Sequence, residues 1–210
     1  MFYLVLMIEV LKTYNQLYMQ NFSRGNMQEK EIFLLSNKNS NLILTAPHAT
    51  RSFVNKKEKL SDLYTGALTQ YIGEISNTST IIRQKFTPHK ALISDFISQN
   101  NLQDHYFLDI HGFKQNINCD ICLGIGDFSP QNYPYLEKII KIAEKYHLKT
   151  DVNNLYTGRF GLTGRLQKAC HKPNIIQLEL SRCLRDFDQN PDIVLNLTVP
   201  FLCEICKIYE

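Results

Sequence analysis

The chain has little net charge, no apolar run long enough to cross a bilayer, no internal repeat and no Gly-, Ser- or Pro-rich linker. Each absence removes a class of protein. Against 23 Lys and Arg stand 20 Asp and Glu, a net charge of only +3 without a basic stripe, which argues against a nucleic-acid binder. The densest charge run, Lys56-Lys57-Glu58-Lys59, reads as a solvated loop ahead of a helix. The apolar start, residues 1–11, lacks a basic segment and a small-residue cleavage pattern and carries Glu9, so it does not read as a signal peptide. It is also too short to span a membrane. Val5, Ile8, Leu11 and Leu17 instead approach helical spacing, and residues 1–30 are expected to form a helical extension packed on the domain. The expected location is the cytoplasm.

What is present suits a globular protein: 44% hydrophobic and 20% charged residues over 210 positions, enough for one domain with a sizeable core. Six cysteines include two pairs at metal-ligand spacing, Cys119-x-x-Cys122 and Cys203-x-x-Cys206. Neither is flanked by the Gly-rich turns of a zinc ribbon. The first pair falls on an expected strand, where an offset of three sends the side chains to opposite faces. The second falls in the last helix. Free thiols, buried or half-buried, are the expectation, in keeping with a reducing compartment.

Strand and helix signals alternate along the chain. Ile32–Leu35, Leu42–Thr45, Thr80–Arg83, Tyr106–Ile110, Ile121–Ile125 and Ile175–Leu180 read as strands, with Leu148–Val152 as an edge strand. Ser61 is placed to cap a helix whose stripe is Leu63, Ala67, Leu68, Tyr71 and Ile72. Further helices are expected at Leu92–Gln99 and around Leu136, Ile139, Ile140 and Ala143. A final helix has Asn190 as cap, Pro191 at its first position and a kink at Pro200. Asn153–Gly164, punctuated by Gly158, Gly161 and Gly164, reads as a long functional loop. The pattern is that of a single α/β domain with a mixed central sheet flanked by helices.

Three of the strands end in chemistry. In Phe107-Leu108-Asp109-Ile110-His111-Gly112 the period of two puts Asp109 and His111 on one face, where the acid can orient the ring. Leu42-Ile43-Leu44-Thr45-Ala46-Pro47 delivers His48 at its end, and Ile175-Ile176-Gln177-Leu178-Glu179-Leu180 puts Gln177 and Glu179 on one face. Ligands of open α/β sheets bind outside the carboxyl ends of the strands. Two imidazoles beside carboxylates suit zinc, and a separate glutamate suits a base on metal-bound water. An acid inside so apolar a run is expected to be buried, which raises its pKa toward that use; a salt bridge to Arg182 or Arg165 is the structural alternative. Asp62 fits two readings, a carboxylate at a helix start or a third metal ligand. Arg159 and Arg165 suit a clamp on a substrate carboxylate. His89, His105, His147 and His171 read as surface residues.

Together these segments resemble the N-formylglutamate amidohydrolase family, relatives of zinc carboxypeptidases and aspartoacylase. Pro47-His48-Ala49-Thr50-Arg51, Leu60-Ser61-Asp62-Leu63-Tyr64, Asp109-Ile110-His111-Gly112, the Gly161–Arg165 segment and Gln177-Leu178-Glu179 follow one another in the family's order, over roughly residues 42 to 185. The resemblance implies a zinc-carboxypeptidase-like fold and a zinc-dependent hydrolase cleaving the amide of an N-acylated amino acid or short peptide. It makes His48 and His111 metal ligands, Asp109 the group that orients His111, and Glu179 the catalytic base. Arg165, with Arg159, Gln177 and Arg51, makes up the expected substrate-binding set. One position departs from the pattern: Arg51 stands where carboxypeptidase-like sites place a liganding glutamate, and Asp62 is the candidate third ligand. The alternatives are a metallocarboxypeptidase-like peptidase, a non-catalytic binding module with a degenerate metal site, and a cysteine-based metal or redox protein resting on the two C-x-x-C pairs.

Overall fold

Short runs of Ile, Leu, Val and Phe bounded by Asn, Ser, Gly and Pro favour strands, and they build most of the central sheet. The computed structural model describes residues 2–20, 32–54, 57–86, 92–114 and 118–210. Its strands are β1 (Phe33–Ser36), β2 (Leu42–Ala46), β3 (Ser52–Val54), β4 (Lys57–Lys59), β5 (Ser79–Arg83), β6 (Tyr106–Gly112), β7 (Ile121–Gly124), β8 (Thr150–Val152) and β9 (Ile175–Leu180). Seven of them form one sheet in the order β1-β5-β2-β6-β9-β7-β8. The inner strands β5, β2, β6 and β9 are parallel. β1 is antiparallel to β5 at one edge, and β7 is antiparallel to β9 toward the other. This is the mixed α/β sheet that the alternation predicts, with β8 at the edge.

The helices are α1 (Phe2–Gln20), α2 (Thr65–Ile75), α3 (Ile93–Gln99), α4 (Leu136–Lys145), α5 (Leu162–Cys170), α6 (Pro191–Ile193) and α7 (Val199–Lys207). One face of the sheet is apolar along its whole length. Leu42, Leu44, Leu108, Ile110, Leu123, Ile176 and Leu178 pack there against Leu68 and Ile72 of α2, Ile139 of α4 and Phe201 of α7. Each such buried side chain contributes about 1.5–3 kcal/mol. The other face is apolar only at the amino ends of the strands, where Ile43, Phe107 and Ile175 meet Phe96 of α3 and Leu162 and Leu166 of α5. Toward the carboxyl ends it turns polar, and there the candidate site lies.

Several expectations are corrected. α1 buries Leu11 and Tyr18, whereas Val5 and Leu17 are about half exposed, because Tyr14 and Tyr18 reach Glu74 and Gln70 of α2 and set the helix rotation. Lys57–Lys59 is not a loop but pairs with β3 as an antiparallel hairpin. Ser61 does not cap α2; Tyr64 stands at that position in the left-handed region (φ 72). The glycine-punctuated loop ends early, since Leu162 begins α5 and carries Arg165 onto a helix. Asn190 sits at the expected cap position without a side-chain cap bond. The Pro200 kink takes the form of a π-helical turn over Val194–Thr198, a wider turn just ahead of a residue with no N–H to donate. Cys119 lies in a bend ahead of β7 rather than on it, and its Sγ is 3.2 Å from that of Cys122. His147 and His171 are exposed, whereas His105 is partly buried with Nδ1 3.2 Å from the Leu102 carbonyl; His89 lies outside the described residues. Among the described residues no helix is long and apolar enough to cross a membrane.

One close approach decides how α2 sits on the sheet. A Cβ at Gly73 would lie 2.2 Å from Thr80 Cγ2 and 3.0 Å from the Thr78 carbonyl. In an open helix Gly→Ala stabilises by about 1 kcal/mol. Here overpacking wins, and Gly73→Ala is expected to cost about 1–3 kcal/mol, read as a lower urea midpoint. Adding Thr80→Ser should recover part of that loss. A midpoint that does not fall would show that α2 is free to shift.

Candidate metal centre

Because β2, β6 and β9 are parallel, their carboxyl ends fall on one side, and their register aligns the polar residues in rows. Thr45 is opposite Asp109, Asp109 opposite Gln177, and Gln177 opposite Gly124. In the next row His111 is opposite Glu179, Glu179 opposite Cys122, and Cys122 opposite Asp151. Paired residues in register project from the same face. His48 follows the end of β2, and its carbonyl accepts the Asp62 N–H at 2.8 Å. The Asp62 carbonyl in turn accepts from the Thr65 N–H and hydroxyl, at 3.2 and 2.7 Å. With its backbone so held, the Asp62 carboxylate is aimed at His111 instead of at the start of α2.

His111 is the hub. Its Nε2 is 2.9 Å from Asp109 Oδ2 and its Nδ1 is 3.2 Å from Asp62 Oδ2. Asp109 is fully buried, and its second oxygen accepts the Thr45 hydroxyl at 2.6 Å. Burial alone would push the His111 imidazolium down, yet the bonds and charges of Asp109 and Asp62, with the Glu179 charge, hold its pKa well above the ordinary value. Asp62 feels the converse: burial raises it, but His111 and Lys59 bring it to about 2. His48 lies with its ring centre 5.1 Å from that of His111. Burial, then the positive charges of His111 and Lys59, push His48 well below the ordinary value, so it stays neutral and able to donate a lone pair. Burial likewise raises Glu179, whose Oε1 accepts the Gln177 amide N–H at 2.6 Å.

The structure thus gathers His48, Asp62, His111, Asp109, Gln177 and Glu179. Neither arginine named as the alternative partner of Glu179 fills that place: Arg182 bonds Asp186 at 2.6 Å, and Glu179 is held by Gln177. The expected substrate arginines are not drawn in to the same degree. Arg159 is half exposed and paired with Asp127 at 2.5 Å, Arg165 is half-buried on α5, and Arg51 is exposed. Three residues of the site escape sequence reasoning. Thr45 looks like ordinary strand material until its register with Asp109 is known. Lys59, assigned to a solvated charge run, has Nζ 3.9 Å from Asp62 Oδ1. Arg185 is buried against Gly112 and donates to the carbonyls of Leu63, Leu180 and Phe113, so one guanidinium joins the Asp62 turn to the ends of β6 and β9.

The donor set fits zinc. Catalytic zinc takes imidazole nitrogen and carboxylate oxygen from three protein ligands, and an outer carboxylate orients a liganding histidine. His48, His111 and Asp62 are residues of the first kind, and the Asp109 carboxylate touches His111 Nε2 as such an outer group would. The 3.2 Å between His111 Nδ1 and Asp62 Oδ2 is close to the ~3.3 Å separating two donors of one tetrahedral ion. Among the described residues, no group of three or more His, Cys, Asp or Glu side chains stands ready to hold a metal ion.

No family model and no curated protein matches the chain. Solved structures do. N-formylglutamate amidohydrolase from Ralstonia eutropha JMP134 superposes with a TM-score of 0.59 at 11% identity, over 84% of this chain and 97% of that one. A bacteriophage poly-γ-glutamate hydrolase superposes with a TM-score of 0.54 at 16% identity, over 85% of this chain and 87% of the other. The chain shares their fold, a single α/β domain with a mixed seven-stranded sheet flanked by helices.

The roles divide in a way that metal analysis can read. His48→Ala, His111→Ala and Asp62→Ala are each expected to abolish stoichiometric zinc binding in a chelator-competition titration. Asp109→Asn should retain zinc with about 10–100-fold weaker affinity. Equal affinity in Asp62→Ala and the wild type would remove Asp62 from the ligand set.

Proposed function

We propose that the chain is a zinc-dependent amidohydrolase that cleaves the amide of an N-formyl or N-acyl amino acid. The observation that carries this reading is Glu179. It is a buried carboxylate with a raised pKa, one strand from His111 and held by Gln177, where a structural role would call for a cationic partner. His48, His111 and Asp62 would hold the ion. A bound zinc lowers the pKa of its water to about 7 and polarises the scissile carbonyl.

The chain's own groups do the rest. Gln177 occupies Glu179 Oε1, which leaves Oε2 to take a proton from the attacking water and deliver it to the leaving amine. Burial brings the affinity of Glu179 for that proton closer to neutrality. Asp109 and Thr45 fix the His111 ring, so the ligand does not turn during the cycle. For the substrate carboxylate the cations at hand are Arg165, Arg159 and Arg51, as the resemblance implies, together with Lys59 beside Asp62. Positioning by such a cation supplies part of the rate.

The names of the two similar structures both denote amides of glutamate, so N-formyl-L-glutamate is the first substrate to test. The zinc-loaded protein is expected to release formate from it. Glu179→Gln should lower kcat by about 10²–10⁴-fold while leaving zinc content unchanged. Cleavage of short peptides in preference to N-formyl amino acids would favour the peptidase reading. A zinc-loaded protein inert on both panels would favour a binding module, a reading to which Arg51 at the usual glutamate position lends support.

A further inference from the structure

The Cys119-x-x-Cys122 pair takes no part in the hydrolytic reading, yet the fold brings its two Sγ atoms to 3.2 Å. A regular strand would point residues three apart to opposite faces. The bend ahead of β7 undoes that separation and turns Cys119 back onto Cys122. Cys122 is fully buried on β7, in register with Glu179 on one side and Asp151 on the other. Cys119 is only partly buried. One thiol within reach of solvent, with a second buried behind it in contact, is the arrangement of a dithiol that closes in two steps.

We propose that Cys119 and Cys122 are a reversible redox pair that closes to a disulfide on meeting a low-molecular-weight disulfide, RSSR. The Cys119 thiol loses its proton and the thiolate attacks one sulfur of RSSR, expelling RS⁻, which is protonated to RSH. Cys122 then loses its proton and attacks Cys119 Sγ, expelling the second RS⁻ as RSH. The S–S bond of RSSR and two cysteine S–H bonds break; one intramolecular S–S bond and two S–H bonds form. Two electrons pass from the cysteine pair to RSSR.

The order of attack follows from the surroundings. Burial, the bond to Cys119 and the charges near Asp151 and Glu179 push the Cys122 thiol up, so Cys119 is the nucleophile of the first step. In the second step Cys122 acts within one molecule across a contact already made, where proximity offsets its small thiolate fraction. The sulfurs need to close from 3.2 Å to about 2.05 Å, a shift a bend can absorb more readily than a strand. The resulting bond would tie that bend to the strand that flanks Glu179.

The test uses the full-length reduced protein, without metal or substrate. It is incubated with oxidised glutathione, quenched by alkylation and mapped by peptide mass spectrometry. The peptide holding Cys119 and Cys122 is expected to escape alkylation at both positions, to be lighter by two hydrogen masses, and to return on adding dithiothreitol. In Cys122→Ala the second step is blocked, and a glutathione adduct should persist on Cys119. Full alkylation of both thiols in the oxidant-treated wild type would overturn the proposal, as would a bond from Cys119 to another cysteine or a lasting adduct on the wild type. The readout involves no hydrolysis, so its failure leaves the amidohydrolase reading standing, and the reverse also holds.

Discussion

Asp109 is a carboxylate with no exposed surface in the middle of a hydrophobic sheet, and the arrangement around it follows from satisfying it. An unpaired charge in such a place would cost several kcal/mol. Both oxygens are therefore engaged, one by the Thr45 hydroxyl from β2 and one by His111 Nε2 from its own strand. That second bond fixes the plane of the imidazole, so Nδ1 is aimed toward Asp62. Asp62 is met there because its backbone is pinned to His48. The chain of constraint runs from one buried acid on β6 through a ring to a turn nearly fifty residues earlier in sequence.

The sheet makes this affordable by dividing its labour between faces. On one side β2, β6, β7 and β9 present Leu or Ile to α2, α4 and α7, and the hydrophobic stabilisation there is large. On the other side the amino halves of β2, β6 and β9 are sealed by α3 and α5, and toward the carboxyl ends the face turns polar. At the carboxyl ends of β2, β6 and β9 the buried polar groups fall in two adjacent rows, where neighbours satisfy one another: Thr45 with Asp109, Gln177 with Glu179. Arg185 closes the same region, giving its donors to the backbone carbonyls of Leu63, Phe113 and Leu180.

The part of this that is legible in the sequence is the part governed by local period. Alternation in residues 107–112 and 175–180 places Asp109 with His111 and Gln177 with Glu179, and the parallel βαβ pattern puts them at one end of the sheet. What is not legible depends on register or on long-range backbone geometry. Thr45 becomes part of the site only because β2 and β6 pair with Thr45 opposite Asp109. Arg185 recognises carbonyls from segments over 120 residues apart, as its bond to Leu63 shows, and a sequence gives no sign of that. Gly158 and Gly161 do lie in the loop, whereas Gly164 falls on α5 for a similar reason. A Cβ at Gly164 would collide with the Arg159 carbonyl, so this glycine serves a close approach within α5's first turn and not a break in structure. Cys119 falls outside β7 because the strand starts at Ile121, where the apolar run begins, two residues after it.

Charge balance ties the remaining pieces together. Asp62, Asp109 and Glu179 converge on a region whose cations are the imidazolium of His111, the half-exposed Lys59 and an Arg185 already committed to carbonyls. Both carboxylates that touch His111 stabilise positive charge at its nitrogens, strongly enough to reverse the effect of burial. The same concentration of negative charge that holds a proton on Nδ1 favours a divalent cation at that nitrogen, since zinc competes with protons for the same lone pairs. His48 is held neutral a ring's width away, able to join that competition without first losing a proton. On the proposed reading a proton and a metal ion would be alternatives at this site, and Glu179 in the neighbouring strand would be the base that such chemistry requires.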